Sequence, residues 1–245
     1  MISVKRFFCS PDEIYRKRSS LPGFCRFEDI SGRFILFTVM LEDAAFTHHK
    51  GWSFVDIRLA IKNYVRGGHL HGGSTITQQL VKNLYFSFER KISRKILEFF
   101  LALWFEKTLS KKQILELYLN IIYYDNGQYG ISDASRFYFN RSPKDLTVNQ
   151  AFFLASILPV VGICNPLYHP EEFVEYRDKK LNRLPQVFDE IKEEIRQHGP
   201  GLLDEELCAA ASSSTDPFNR PGPMKNEKYG PCGTTPLISK NLPPS

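Results

Sequence analysis

The chain reads as a mostly α protein, and three observations predict this. Apolar residues recur at helical spacing from residue 33 onward. Helix-start pairs, a Ser or Thr followed three positions later by Gln or Asp, recur between them. Gly and Pro fall mostly between the periodic stretches. A length of 245 residues is enough to bury one sizeable core. One domain over 33–200 is expected, between an N-terminal segment (1–32) that assigns itself no element and a Pro-, Ser- and Gly-rich tail (201–245) that reads as disordered.

Taken in order, residues 1–32 mix charge, Cys, Pro and Gly without a sustained period. From Arg33 an apolar run enters Glu42. Ser53 with Asp56 marks another helix start, Phe54, Ile57, Ile61, Tyr64 and Val65 supply its apolar face, and Gly67-Gly68 ends it. After the turn at Gly72-Gly73, residues 77–86 read as a short helix. The stretch 92–107 is apolar on nearly all sides, which predicts a central position. Ser110 with Gln113 forms a capping box for a helix through Ile122, and Asn126-Gly127 marks a turn. Thr147 with Gln150 repeats the device before 151–158, where Pro159 stops the helix. Residues 171–198 are charged at helical spacing, interrupted at Pro185.

Composition narrows the function classes. Twenty Phe and eleven Tyr make a bulky core, or less directly an apolar groove. A net charge of +5 favours anions without choosing among phosphate esters, nucleic acid and an anionic bilayer. The basic residues are dispersed and match no nucleic-acid reading motif, so no nucleic-acid partner is expected. Five Cys without a C-x-x-C pair indicate neither a zinc site nor a disulfide framework, which leaves free thiols. No apolar run is long enough to span a bilayer, and the N-terminus lacks a signal-peptide apolar region. Neither a transmembrane anchor nor a signal peptide is therefore expected.

Four motifs carry chemistry. The first is Glu42-Asp43 followed by Phe46, His49 and Gly51; alone, a Glu-Asp pair is an ordinary solvated helix end. The second is Gly72-Gly73-Ser74-Thr75-Ile76-Thr77-Gln78-Gln79, a turn that feeds a helix N-terminus with hydroxyls and amides. It suits an anion or, equally, a Ser/Thr-rich cap, and it lacks the lysine of a nucleotide-binding P-loop. The third is Arg94-Lys95-Ile96-Leu97-Glu98, which sets two cations on the helix face of an acid inside an apolar stretch. It reads as a phosphate-holding cluster or as an intrahelical ion pair. The fourth runs from Glu116 through Tyr118, Leu119 and Asn120 to Gly127 and Gly130, and reads first as scaffold. Glu42 and Glu98 together suggest acid/base chemistry, because isolated carboxylates in apolar surroundings are costly.

In this order the motifs resemble those of the peptidoglycan glycosyltransferases, family 51 of the glycosyltransferases, with the monofunctional biosynthetic transglycosylases the nearer class. The resemblance covers roughly residues 33–170. It implies a lysozyme-like fold of two lobes with a cleft between them, the smaller lobe facing a membrane. It also implies lipid II as substrate, polymerised into β-1,4-linked glycan with inversion and release of undecaprenyl pyrophosphate. Glu42 would be the general base and Glu98 would assist the leaving group. Ser74, Thr75, Gln78, Lys82, Arg94 and Lys95 would bind phosphates. Asp43, Phe46, His49, Gly73, Thr77, Gln79, Tyr118 and Asn120 complete the implied substrate site. No cofactor is required, although a divalent cation, Mg2+ or Mn2+, at the pyrophosphate fits the resemblance. Implied partners are lipid II, the growing glycan, the membrane surface and penicillin-binding transpeptidases. The implied location is the outer face of the bacterial cytoplasmic membrane. The segment from Trp52 to Leu70 reads either as an interfacial helix or as an ordinary amphipathic one. The alternatives are a non-catalytic lipid II-binding relative and a lysozyme-type glycoside hydrolase.

Overall fold

The computed structural model describes residues 9–52, 74–86, 92–158 and 170–197. The helix expected from Ser53, the Gly72-Gly73 turn, the Pro159 stop and the tail lie outside the described residues. Among those described, the architecture is helical. The one pairing of extended backbone is an isolated antiparallel bridge between Tyr123 and Tyr129.

Helix α1 (Pro11–Ser19) starts where Ser10 accepts a hydrogen bond from the Glu13 N–H at 3.2 Å and Pro11 occupies the first turn. Its charges form ion pairs along the helix, Asp12 with Arg16 and Glu13 with Lys17. No helix was expected here, because a nine-residue helix with one fully buried aliphatic, Ile14, shows too little periodicity. The Ser10-Pro11-Asp12-Glu13 start was nonetheless legible.

Helix α2 (Gly32–Glu42) buries Phe34, Phe37 and Thr38. Helix α3 (Ile76–Tyr85) begins at a capping box between Thr75 and Gln78, and α4 (Ile92–Thr108) follows. Helix α5 (Lys111–Ile121) carries the expected Ser110–Gln113 box. Helix α6 (Ile131–Phe139) went unexpected because Gly130, not a side-chain cap, precedes it. Its buried Ile131, Ala134, Ser135 and Tyr138 do keep helical spacing. The Thr147–Gln150 box starts α7 (Val148–Ile157). Helices α8 (Pro170–Leu181) and α9 (Asp189–Gln197) flank the break at Pro185.

Helix α7 is buried along nearly its whole surface and packs lengthwise on α2, with Phe37 and Phe152 edge to face at 5.4 Å. The central position expected for 92–107 therefore belongs to α7. Helix α4 buries Leu101, Ala102 and Phe105 but exposes Ile96, Leu97, Phe100 and Trp104, Phe100 by 61%. An all-round apolar pattern calls for apolar surroundings, and the protein supplies them on one side of α4 only. The aromatic content goes into the core, where Tyr118, Tyr124, Tyr138 and six Phe are among the fully buried side chains. The free-thiol expectation holds for Cys25, which is buried and free, and fails for Cys9, which is disulfide-bonded. Spacing along the chain does not reveal which sulfurs the fold brings together.

After α5 the chain turns back through Asp125, Asn126 and Gly127, all at positive φ, to Gly130 at φ +81°. A Cβ at Gly130 would stand 2.6 Å from the Asn120 carbonyl oxygen, whereas at Gly127 it would meet nothing within 4 Å. Gly127→Ala should cost about 1 kcal/mol from its backbone conformation. Gly130→Ala should cost about 2–3 kcal/mol, because the clash adds to the strain. Urea unfolding of both variants checks the order; equal losses would contradict the close approach.

Candidate active site

Glu42 is the last residue of α2, and its carboxylate reaches α3. Gln79 donates from Nε2 to Glu42 Oε2 at 2.9 Å, and the buried Tyr118 hydroxyl donates to Gln79 Oε1 at 3.1 Å. The amide orientation follows from its two neighbours, a carboxylate that can only accept and a phenol with a proton to donate. Burial pushes the Glu42 carboxyl above its ordinary value of 4.5, opposed by the Gln79 hydrogen bond and by the charges of Lys180 and Arg183. The residue is half-buried overall, yet Oε1 is shut away from solvent and has no hydrogen-bond partner among the described residues.

The adjoining Asp43 is spent on structure. His49 Nε2 lies 2.8 and 2.9 Å from its two oxygens, and the Ile76 N–H donates to Oδ2 at 3.0 Å. Because His49 Nδ1 accepts from the Gly51 N–H at 3.1 Å, the neutral ring carries its proton on Nε2 and donates to Asp43. Thr75 Oγ1 donates to the Gly51 carbonyl at 2.9 Å. The first and second motifs are thereby tied at Asp43–Ile76, Gly51–Thr75 and Glu42–Gln79. Gly51 sits at φ +87°, and a Cβ there would press to 3.0 Å from Glu106 Cγ and 3.2 Å from the Ala102 backbone.

The N-terminus of α3 already holds an anion, and it is the protein's own Asp43. The Thr75 N–H is taken by Gln78 Oε1 and the Gln78 N–H by Thr75 Oγ1. Thr77 Oγ1 donates to Glu106 Oε1 at 2.5 Å, and Lys111 Nζ reaches the same oxygen at 2.8 Å. Lys111 also sits 4.4 Å from the centroid of Phe46, whose other neighbour is His49. The polar atoms of Thr75, Thr77, Gln78 and His49 thus face inward.

The second acid, Glu98 on α4, is 1% exposed. Arg94 Nε lies 2.9 Å from Oε1 and Lys95 Nζ 3.0 Å from Oε2. Lys95 also donates to Ser74 Oγ at 2.9 Å. The cationic cluster read from Arg94-Lys95-Glu98 is therefore formed, and Ser74 links it to α3, whose Gln79 holds Glu42. Lys82 lies half-buried on α3, while Gly73 lies outside the described residues. Among the described residues no three His, Cys, Asp or Glu side chains converge to hold a metal. Glu98, its oxygens beside two cations, offers a divalent ion a poor seat.

The fourth motif anchors the N-terminal segment. Asn120 accepts from the Cys25 N–H at 2.7 Å and donates to the Cys25 and Glu116 carbonyls at 2.8 Å each. Glu116 accepts from Phe27 N–H and from the Tyr15 hydroxyl. Sequence reasoning missed Glu106, which closes the apolar run of α4 that Glu98 interrupts. It also missed Lys180 and Arg183, whose charges favour the ionised form of Glu42 and whose distance from it along the chain leaves no signal in sequence.

The sequence profile of the family described as Transglycosylase matches residues 13–185. The chain belongs to the peptidoglycan transglycosylase family. The match begins inside α1, upstream of residue 33. Penicillin-binding protein 1A of Aquifex aeolicus is 45% identical over 147 residues, 60% of this chain and 20% of that protein. Penicillin-binding protein 1F of Bacillus subtilis is 37% identical over 166 residues, 67% of this chain and 23% of that protein. The biosynthetic peptidoglycan transglycosylase of Acinetobacter baylyi is 40% identical over 159 residues, 64% of this chain and 69% of that protein. The chain thus spans about a fifth of the length of these penicillin-binding proteins and over two thirds of the transglycosylase.

Asp43→Ala would strand the Ile76 N–H and the His49 Nε2–H in the interior. A loss of about 2–4 kcal/mol is expected in denaturant unfolding; a loss below about 0.5 kcal/mol would mean that the clamp contributes nothing.

Proposed function

We propose that the chain polymerises lipid II into β-1,4-linked glycan at a membrane surface, with Glu42 as the general base. The observation that carries this reading is the state of the Glu42 carboxylate. Gln79 fixes one of its oxygens at the end of α2, and burial raises its proton affinity above that of an ordinary carboxylate. The proton it would take is that of the 4-hydroxyl of an acceptor sugar. That proton passes to Glu42. The sugar oxygen attacks the anomeric carbon of the growing chain from the face opposite the leaving group. The bond from that carbon to the pyrophosphate oxygen breaks, and undecaprenyl pyrophosphate departs with the bonding pair. Burial, which raises the proton affinity of Glu42, suits it to accept the proton.

The leaving group's charge is the province of Arg94, Lys95 and Ser74, arranged around Glu98. Glu98 holds Arg94 and Lys95 in place. A lysozyme-type hydrolase would have no use for such a cluster.

The exposed apolar row Ile96, Leu97, Phe100 and Trp104 on α4, beside the exposed Lys95, suits the boundary of an anionic bilayer. No described helix is long and apolar enough to cross a membrane. The proposed setting is the outer face of the cytoplasmic membrane, with penicillin-binding transpeptidases as partners that crosslink the product.

Purified protein should convert labelled lipid II in detergent into muramidase-sensitive polymer, and Glu42→Gln should lower kcat by at least about 100-fold without unfolding. Wild-type kcat/KM should fall on the acid side at a pH above 4.5, since the base works only when ionised and burial raises its pKa. Lipid II binding without polymer would instead support the non-catalytic alternative, and water-driven glycan release from sacculi the hydrolase. Phe100→Asp should weaken cosedimentation with anionic vesicles several-fold; unchanged binding would remove α4 from the membrane contact.

A further inference from the structure

We propose that Tyr118, on α5, is a positioning residue for Glu42 that acts through Gln79: its buried hydroxyl fixes the Gln79 amide with the NH2 group toward the carboxylate, whether that carboxylate is ionised or has taken a proton. This rests on the reading of Glu42 as the base.

Tyr118 is 0% exposed, so its side chain offers a substrate no surface, although the family resemblance counts it in the substrate site. Its hydroxyl donates to Gln79 Oε1 at 3.1 Å, and Gln79 Nε2 donates to Glu42 Oε2 at 2.9 Å. The relay thus crosses three helices, from α5 through α3 to the end of α2. Each helix is held by other contacts. Asp43 ties the end of α2 to the Ile76 N–H of α3, α3 packs along α5, and Asn120 and Glu116 tie α5 to the N-terminal segment. Within this frame, a half-turn of the amide is the one movement that would exchange donor for acceptor in front of Glu42.

A primary amide presents an acceptor on one side and two donors on the other. Facing an ionised carboxylate, the NH2 side is favoured by charge alone. Once Glu42 has taken a proton its carboxyl can donate, and a turned amide would accept from it and stabilise the neutral acid. The Tyr118 hydroxyl opposes that turn. It would then face the NH2 group, and its proton would lose the one acceptor it has among the described residues, in an interior where an unmade hydrogen bond is costly. Burial and the charge of Glu42 keep this phenol protonated. The amide therefore serves the ionised base in preference to the protonated one, which offsets part of the effect of burial on Glu42.

The charged groups that act on Glu42 are Asp43, which opposes its ionisation, and Lys180 and Arg183, which favour it. Helix α7, packed along α2, contributes no titratable side chain. Among the described residues Tyr118 and Glu42 are the two groups that hydrogen-bond to the Gln79 amide, so removal of the Tyr118 hydroxyl leaves the other charges in place and frees the amide alone. The Tyr138 hydroxyl is as deeply buried but donates to the Tyr124 carbonyl at 2.9 Å, outside the relay.

The test is the carboxyl titration of Glu42, followed by NMR in protein labelled with 13C-glutamate and assigned with Glu42→Gln. Tyr118→Phe should move the titration to higher pH and lower kcat/KM on the acid limb roughly fivefold, with recovery towards alkaline pH. Tyr138→Phe, which removes a buried hydroxyl outside the relay, should cost stability and move neither. In a Gln79→Met background Tyr118→Phe should produce no further movement, because the amide that transmits the effect is gone. Tyr118→Met supplies a second hydroxyl-free side chain should Phe prevent folding. An unmoved Glu42 titration in the hydroxyl-free Tyr118 variants, an equal movement with Tyr138→Phe, or a further movement in the Gln79→Met background overturns the proposal. The titration needs no turnover. Absence of polymer from the wild type would therefore defeat the proposed function while the relay was still decided separately.

Discussion

The buried carboxylate of Asp43 is the constraint on which the site depends. It occupies the N-terminus of α3, meeting the Ile76 N–H and the His49 ring at once. A helix N-terminus favours negative charge, so one side chain satisfies the start of α3 and fixes the angle at which α2 ends. With that angle set, Glu42 falls within reach of Gln79, and Gly51 within reach of Thr75. The acid next to the base therefore works by geometry. Its partners are all internal, which is why it can be buried beside Glu42 without forcing either group apart.

Helix α4 divides its acids in a comparable way. Glu106 points toward Thr77 and Lys111 and locks the second motif to the scaffold. Glu98, two turns earlier, gathers Arg94 and Lys95 into a cationic cluster linked to Ser74. Both are held by cations, but Glu106 shares its contacts with a buried threonine whereas Lys95 remains half exposed. An exposed cation is free to exchange its partner for an anionic ligand at small cost, because solvent already screens the pair. The same helix turns its apolar row outward, so phosphate-suited charge and lipid-suited surface occupy adjoining stretches of one element.

The N-terminal segment is part of the domain. Asn120 and Glu116 satisfy the backbone of Cys25 and Phe27 and the hydroxyl of Tyr15, which closes α1 onto α5. Gly130 allows the return strand to pass against Asn120 with no room for a side chain. Conserving both contacts requires the helix end and the turn to form together, a coupling of residues ten positions apart.

By itself the sequence determined the helical class, the boxes at Ser110 and Thr147, the break at Pro185 and the family. These are local facts: a cap needs a hydroxyl three residues from an amide, and a motif needs only its spacing. The sequence left α1 and α6 undetected because their start signals are short or rest on glycine. It also placed the helix over 92–107 at the centre, since an apolar pattern does not say whether protein or another apolar medium meets it. Only the tertiary structure decided that Asp43, Thr75 and Thr77 spend their polar atoms on internal partners, His49, Gly51 and Glu106 respectively. It alone decided that Glu106 shares the acid work of α4 and that the Asp43 carboxylate meets the Ile76 N–H from 33 residues away along the chain. Electrostatic partners at that separation leave no periodicity to read, because the path of the backbone between them sets which charges meet.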